Sequence, residues 1–334
     1  MMRNPFVVAA WVPLVVAVGA LQTAEVASAQ TARLEIHSFD TLTLSDARFL
    51  TGSREGKPAQ IGGELRLPPG TGQVPAVILI NSCGGVGANI DRWAQEFNGI
   101  GVAAFIVDSF TGRGIVQTCS DQSQLGHLAM IFDAYRALEL LSKHARVDPA
   151  RIAVMGFSKG GFAALYSSMK RFQRAYGPAN VEFAAYLPFY ARCETRYIDD
   201  DKVSDRPIRI FHGAADDYVP VAPCLAYVER LRQLGKDAQI TVYPGARHAF
   251  DNALYPAVRP LPDAEVSTRC RRMERSAGQL INLDTGKTFS SKDTCVTRGA
   301  TVGYDPSAHA DALKAVRLFL TSTFELGPAA AAAN

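Results

Sequence analysis

No basic tail and no run of lysine or arginine occurs in these 334 residues, and the net charge is only +3. Such a chain carries no electrostatic footprint for nucleic acid or for an anionic membrane surface. No two of its six cysteines stand in C-x-x-C spacing, which removes the common zinc and thioredoxin-type redox patterns. Internal repeats are lacking, so a solenoid is excluded. Beyond the N-terminus no apolar run is long enough to span a bilayer. The GKT at 286–288 lacks the upstream glycine of a phosphate-binding loop. No metal and no cofactor is expected.

What is present starts with a leader. Arg3 precedes the apolar stretch FVVAAWVPLVVAVGAL, and Ala27-Ser28-Ala29 forms an A-x-A cleavage pattern. Residues 1–29 therefore read as a secretory signal peptide, with a mature chain beginning at Gln30. Pro13 and the A-x-A site argue against an uncleaved anchor. The mature protein is expected to be periplasmic or secreted, without stable membrane insertion. In an oxidising compartment an even number of cysteines points to disulfides. Spacing alone does not choose among the pairings of Cys83, Cys119, Cys193, Cys224, Cys270 and Cys295.

Strand and helix patterns alternate after residue 60. GGELRLP alternates as an early strand. AVILI, VAAFIVDSF, RIAVMGF, VEFAAYLPFY, IRIFHG and AQITVYPG follow as strands of the kind covered on both faces. Between and after them stand helical patterns in DRWAQEFNGIG, QLGHLAMIFDAYRALELLSKH, KGGFAALYSSMK, VAPCLAYVERLRQLG and AHADALKAVRLFLTSTF. This order predicts an α/β fold: a mostly parallel central sheet with helices on both faces. A single domain is expected over 30–327. Residues 259–300 break the rhythm and read as a polar insertion with a hairpin around Asp284–Gly286; residues 328–334 read as a frayed tail.

Gly156-Phe157-Ser158-Lys159-Gly160 is a G-x-S-x-G pattern at the junction of a strand and a helix. Small residues around the serine permit a very sharp turn that lifts its Oγ out of the fold. A serine in such a place can also merely cap the helix. The rest of the chain decides between the two. A serine hydroxyl is a weak nucleophile and needs a base, which in turn needs an orienting group. IRIFHGAADDYVP offers Asp216 and Asp217 just after a strand. One of them can cap the helix near Val221 while the other serves the site. ITVYPGARHAFDN offers His248 after the last sheet strand. Nucleophile, acid and histidine in this chain order match the α/β-hydrolases.

Acyl transfer also needs N–H donors aimed at the developing oxyanion. One is expected from the backbone of Lys159, the residue after the nucleophile. The other is assigned to the backbone N–H of Cys83, in the NSCGGVG turn after AVILI. Cys83 itself is a poor candidate nucleophile, because it lies before a different helix and is open to oxidation.

With these residues in place, the chain from about 60 to 325 resembles the dienelactone hydrolase family. NSCGG, DSFTGRG, GFSKGG, GAADDYVP and YPGARHAFDN carry the resemblance. It selects Asp216, four before Pro220, over Asp217. It implies an α/β-hydrolase fold and a Ser158–His248–Asp216 triad that cleaves carboxylic esters or lactones through an acyl-enzyme. There are departures. The family's namesake enzymes use a cysteine where Ser158 stands, a glutamate in the turn that here reads Asn81-Ser82-Cys83, and an arginine where Asn252 stands. The resemblance therefore implies a serine esterase rather than an enzyme for dienelactone itself. Arg113, in the loop after VAAFIVDSF, is expected at the mouth of the site as a substrate contact. From export and placement, the pairs Cys83–Cys119, Cys193–Cys224 and Cys270–Cys295 are expected. The competing classes are an exported peptidase on the same fold and a non-catalytic binding module.

Overall fold

Ala76–Ile80 is apolar at every position, and every one of those side chains is fully buried. In a strand, consecutive burial of this kind requires cover on both faces. Each large aliphatic there contributes about 1.5–3 kcal/mol relative to exposure. The computed structural model that shows this describes Met1, residues 33–276 and residues 278–327. The expected signal peptide, apart from Met1, and the tail at 328–334 lie outside the described residues.

The strands are β1 (Arg33–Thr43), β2 (Lys57–Leu67), β3 (Val74–Ile80), β4 (Ala103–Asp108), β5 (Val147–Phe157), β6 (Ala185–Phe189), β7 (Thr195–Arg196), β8 (Ile208–Gly213), β9 (Ala238–Tyr243), β10 (Arg259–Val266), β11 (Arg272–Ser276), β12 (Gln279–Asn282) and β13 (Thr297–Val302). The helices are α1 (Asp46–Leu50), α2 (Ala88–Gly99), α3 (His127–Ser142), α4 (Lys159–Tyr166), α5 (Lys170–Tyr176), α6 (Ala222–Gln233) and α7 (Pro306–Thr323). The main sheet has eight strands in the order β1-β2-β4-β3-β5-β6-β8-β9. From β4 to β9 every pairing is parallel, while β2 runs antiparallel to both of its neighbours.

Alternation along β3 divides the core. Ile78 and Ile80 pack with α3, α4 and α6, and Val77 and Leu79 pack with α2 and α7. The sequence pattern anticipated this middle of the fold but not β1, a strand at the sheet edge whose register with β2 runs from Arg33↔Leu67 to Thr43↔Lys57. KGGFAALYSSMK also differs from its single-helix reading: α4 ends at Tyr166 and α5 begins at Lys170.

The polar segment at 259–300 is partly ordered as small sheets. β10 pairs with β13, and β11 pairs with β12 and β7. The chain turns near Asp284–Gly286, where Asn282 donates its N–H to Lys287 O at 2.9 Å. Ala264, Val266 and Ala300 of this segment pack with Cys83, Tyr218 and Val219, so the segment lies against the turns that follow β3 and β8. The structure joins Cys83 to Cys119, Cys193 to Cys224 and Cys270 to Cys295, with Cα–Cα separations of 4.9, 5.0 and 5.2 Å. Among the described residues no helix is long and apolar enough to cross a membrane.

Candidate active site

The turn from β5 into α4 is built on close backbone approach. A Cβ on Gly156 would meet Gly160 O at 2.1 Å, and one on Gly160 would meet Ile80 O at 2.3 Å. Neither position accepts a side chain without moving backbone. Ser158 between them takes φ 54°, ψ −108°, a costly conformation for a residue with a Cβ. Its N–H is held by Phe189 O at 3.0 Å. The glycines thus set a strained serine at the end of the central strand.

His248 Nε2 lies 2.9 Å from Ser158 Oγ, and His248 Nδ1 lies 2.7 Å from Asp216 Oδ2. All three residues are buried, Ser158 at 7 % exposure. Asp216 Oδ1 accepts the backbone N–H groups of Tyr218 and Val219 at 3.0 and 2.7 Å. Burial alone would push this carboxyl up. The charge of His248 and hydrogen bonds from His212 and His248 outweigh it and hold the group at about 2. The His212 contact is a long one, 3.6 Å from Nε2 to Asp216 Oδ2; the same Nε2 donates to Val219 O at 2.8 Å. His212 therefore braces the loop that carries Asp216.

Asp217 turns the other way. Its side chain is 47 % exposed and accepts the Thr301 N–H at 2.9 Å, tying the loop to β13. The adjacent aspartates thus have different partners, one His248 and one Thr301 of β13.

Lys159 opens α4, so its N–H has no intrahelical acceptor. The Cys83 N–H has no acceptor among the described residues, while Cys83 O accepts from Thr118 N at 2.8 Å. The disulfide to Cys119 fixes the same turn from its side chain. The Lys159 side chain is buried, and its Nζ reaches Gln122 Oε1 at 3.0 Å and Thr118 Oγ1 at 3.2 Å. Burial lowers this amine to about 7 against the pull of Asp46. Gln122 also lines a cavity of about 410 Å³ with Asp46, His127, Glu265, Arg272 and Phe289; Ser158 is not on its wall.

Arg113 corrects an expectation. Its side chain is 3 % exposed and is not a substrate contact at the mouth of the site. The guanidinium makes a two-pronged pair with Asp133 of α3, both contacts at 2.8 Å. It also donates to Thr43 Oγ1, Ser109 O and Leu42 O. Every N–H of the fork is thereby used inside the fold. Asn252, where the family's arginine would stand, is buried and caps its own loop by accepting Leu254 N–H at 3.1 Å.

Several residues near Ser158, Asp216 and His248 were not singled out from the sequence. The rings of Tyr190 and Tyr218 lie 4.7 and 4.9 Å from the His248 ring, centroid to centroid. Asp251 is buried three residues after His248. The only signal for them was position: Tyr218 and Asp251 sit in the same two loops that carry Asp216 and His248. Away from the site, Glu35, His37 and His144 bring their polar atoms together. His144 Nδ1 accepts the Arg146 N–H at 3.2 Å, so Nε2 is the protonated nitrogen of the neutral ring and donates to Glu35. A metal-binding imidazole needs the reverse arrangement.

A parallel sheet with an antiparallel second strand, and a serine on a strained turn after the central strand, define an α/β-hydrolase. The chain belongs to the dienelactone hydrolase family, whose model matches residues 61–323. It is 26 % identical over 219 residues to a probable 2-oxo-3-(5-oxofuran-2-ylidene)propanoate lactonase of Bradyrhizobium sp, covering 60 % of this chain and 84 % of that one. A probable carboxylic ester hydrolase of Mycobacterium tuberculosis is 30 % identical over 165 residues, covering 36 % of this chain and 38 % of the other. The fold also matches the crystal structure of a dienelactone hydrolase-like promiscuous phosphotriesterase from metagenomic libraries, with TM-score 0.57 and 18 % identity over 87 % of this chain and 99 % of that one. The protein is a carboxylic ester hydrolase.

Proposed function

We propose that this enzyme cleaves neutral carboxylic esters or lactones by a two-step acyl transfer on Ser158. The supporting observation is the unbroken line of short contacts from Asp216 through both nitrogens of His248 to Ser158 Oγ. His248 Nε2 takes the Ser158 proton as Oγ attacks the carbonyl carbon. The tetrahedral oxyanion meets the N–H groups of Lys159 and Cys83. Asp216 keeps Nδ1 protonated and stabilises the imidazolium, which then gives its proton to the leaving alcohol. Water repeats the cycle on the acyl-enzyme and releases the acid. A neutral substrate is favoured because Arg113 is consumed within the core and Asn252 supplies no charge.

The test is Ser158→Ala and His248→Ala against a panel of aryl and alkyl esters. Each is expected to lower kcat by about four orders of magnitude or more, and the double variant to be no worse, because the triad acts as a unit. A fluorophosphonate probe should label Ser158 and fail on Ser158→Ala. Retained turnover in Ser158→Ala would remove the reading. Export through cleavage after Ala29 is part of the proposal, and the three disulfides are compatible with an extracellular protein. Intact mass of the mature chain should begin at Gln30; a chain retaining Met1 in the membrane fraction would overturn it.

A further inference from the structure

Asp251 is a carboxylate at 1 % exposure, and no salt bridge reaches it among the described residues. A charge kept dry without a cation needs hydrogen bonds to survive. Its Oδ1 accepts from the Tyr190 hydroxyl at 2.8 Å. Its Oδ2 accepts from Trp93 Nε1 at 2.9 Å and Asn89 Nδ2 at 3.2 Å. Indole and amide N–H groups only donate, so an all-acceptor group suits this cluster. An asparagine would keep two of the bonds and force the Tyr190 hydroxyl to reverse.

The donors come from separate parts of the site. Asn89 and Trp93 belong to α2, which continues directly from the turn holding Cys83. Tyr190 follows Phe189, whose carbonyl holds the Ser158 N–H. Tyr190 has φ 36°, strained for a tyrosine, and its N–H bonds Phe211 O at 2.8 Å. Burial first, and then the Asp251 charge, push its phenol well above the ordinary range, so the hydroxyl stays a donor. Its ring meets the His248 ring edge-on. Tyr218, the other ring at His248, has weaker anchors: Gln122 at 3.5 Å and the Cys83 sulfur at 3.9 Å.

We infer that Asp251 is a positioning residue for the reaction, holding the Tyr190 ring against His248 and so fixing the imidazole between Ser158 and Asp216. This rests on the triad reading of the site and extends it. General-base geometry tolerates little displacement, so a loosened Tyr190 lowers turnover rather than binding.

The experiment measures kcat and KM for a neutral aryl acetate in wild type, Tyr190→Phe, Asp251→Asn, the double variant and Ser158→Ala. Endpoint labelling with a fluorophosphonate counts competent sites, and thermal unfolding checks the fold. Tyr190→Phe and Asp251→Asn should each lower kcat per site roughly ten-fold with KM unchanged, and the double variant should be no slower than the slower single. Multiplicative losses, or a kcat within about two-fold of wild type in Tyr190→Phe, overturn the inference. Asp251→Asn keeps both α2 donors bonded and serves alone if Tyr190→Phe does not fold; an unchanged kcat there overturns it equally. Activity in Ser158→Ala would instead sink the triad reading. An inactive Ser158→Ala beside a fully active Tyr190→Phe would sink only the positioning role.

Discussion

Two buried aspartates, each paired with a nitrogen-bearing side chain, end differently. Asp216 and His248 form a pair with a free valence, because His248 Nε2 is left to face Ser158. Arg113 and Asp133 form a closed pair, with the guanidinium bound on every side and Asp133 also accepting from Thr41 Oγ1 at 2.6 Å. Both are buried, and both carry residues from loops that follow strands. Burial and location do not separate the pair proposed to react from the structural one. An unspent donor or acceptor facing a second functional group does.

The comparison can be broken first at the acid. Asp216→Asn should lower kcat by about 10²–10⁴-fold, since the amide presents the wrong partner to Nδ1–H. Asp217→Asn should leave kcat within a few-fold and loosen its contacts with Thr301 and, at 3.8 Å, Arg247. Steady-state kinetics on the two variants decides between them; the reverse order would move the acid to Asp217.

At the closed pair the effect should fall on stability. Arg113→Met leaves Asp133 buried and unpaired and should cost about 3–5 kcal/mol in urea unfolding. The kcat/KM ratio for a neutral acetate over a carboxylate-bearing lactone should not change. A collapse of lactone turnover in Arg113→Met at full stability would return the arginine to the site.

Replacing Cys270 and Cys295 together by serine frees a loop of sequence separation 25. The chain-entropy cost is about 3.5 kcal/mol, with kcat little altered. An equal loss of turnover would show that this part of the inserted segment shapes the site.

The smallest effect concerns Lys159, whose amine is lowered to about 7 from 10.5. Over that interval the unfolded chain binds the extra proton, so stability rises with pH. The penalty of burying the ammonium is fully present below about pH 7 and relieved toward 10.5. Lys159→Met should therefore compare most favourably with wild type at pH 6, and the difference should shrink by pH 9. A stability difference that is flat across this range would show that Lys159 titrates normally.

The middle of the fold was legible because strand and helix periods, and the sterics of a turn such as Gly156–Gly160, are local properties. Chain order and post-strand placement similarly marked Ser158, Asp216 and His248 as candidates. β1 was not legible: it lies at the sheet edge and alternates weakly, with Leu34 and Ile36 exposed, and it is defined by pairing with β2. Partner choice lay beyond the sequence too. Arg113 faces the core because Asp133 waits on α3, and Asp251 matters because Tyr190, Trp93 and Asn89 converge on it from distant segments. Local sterics and hydrophobic period belong to a few neighbouring residues. The direction in which a charged side chain is satisfied depends on atoms that only folding brings within 3 Å or so of it.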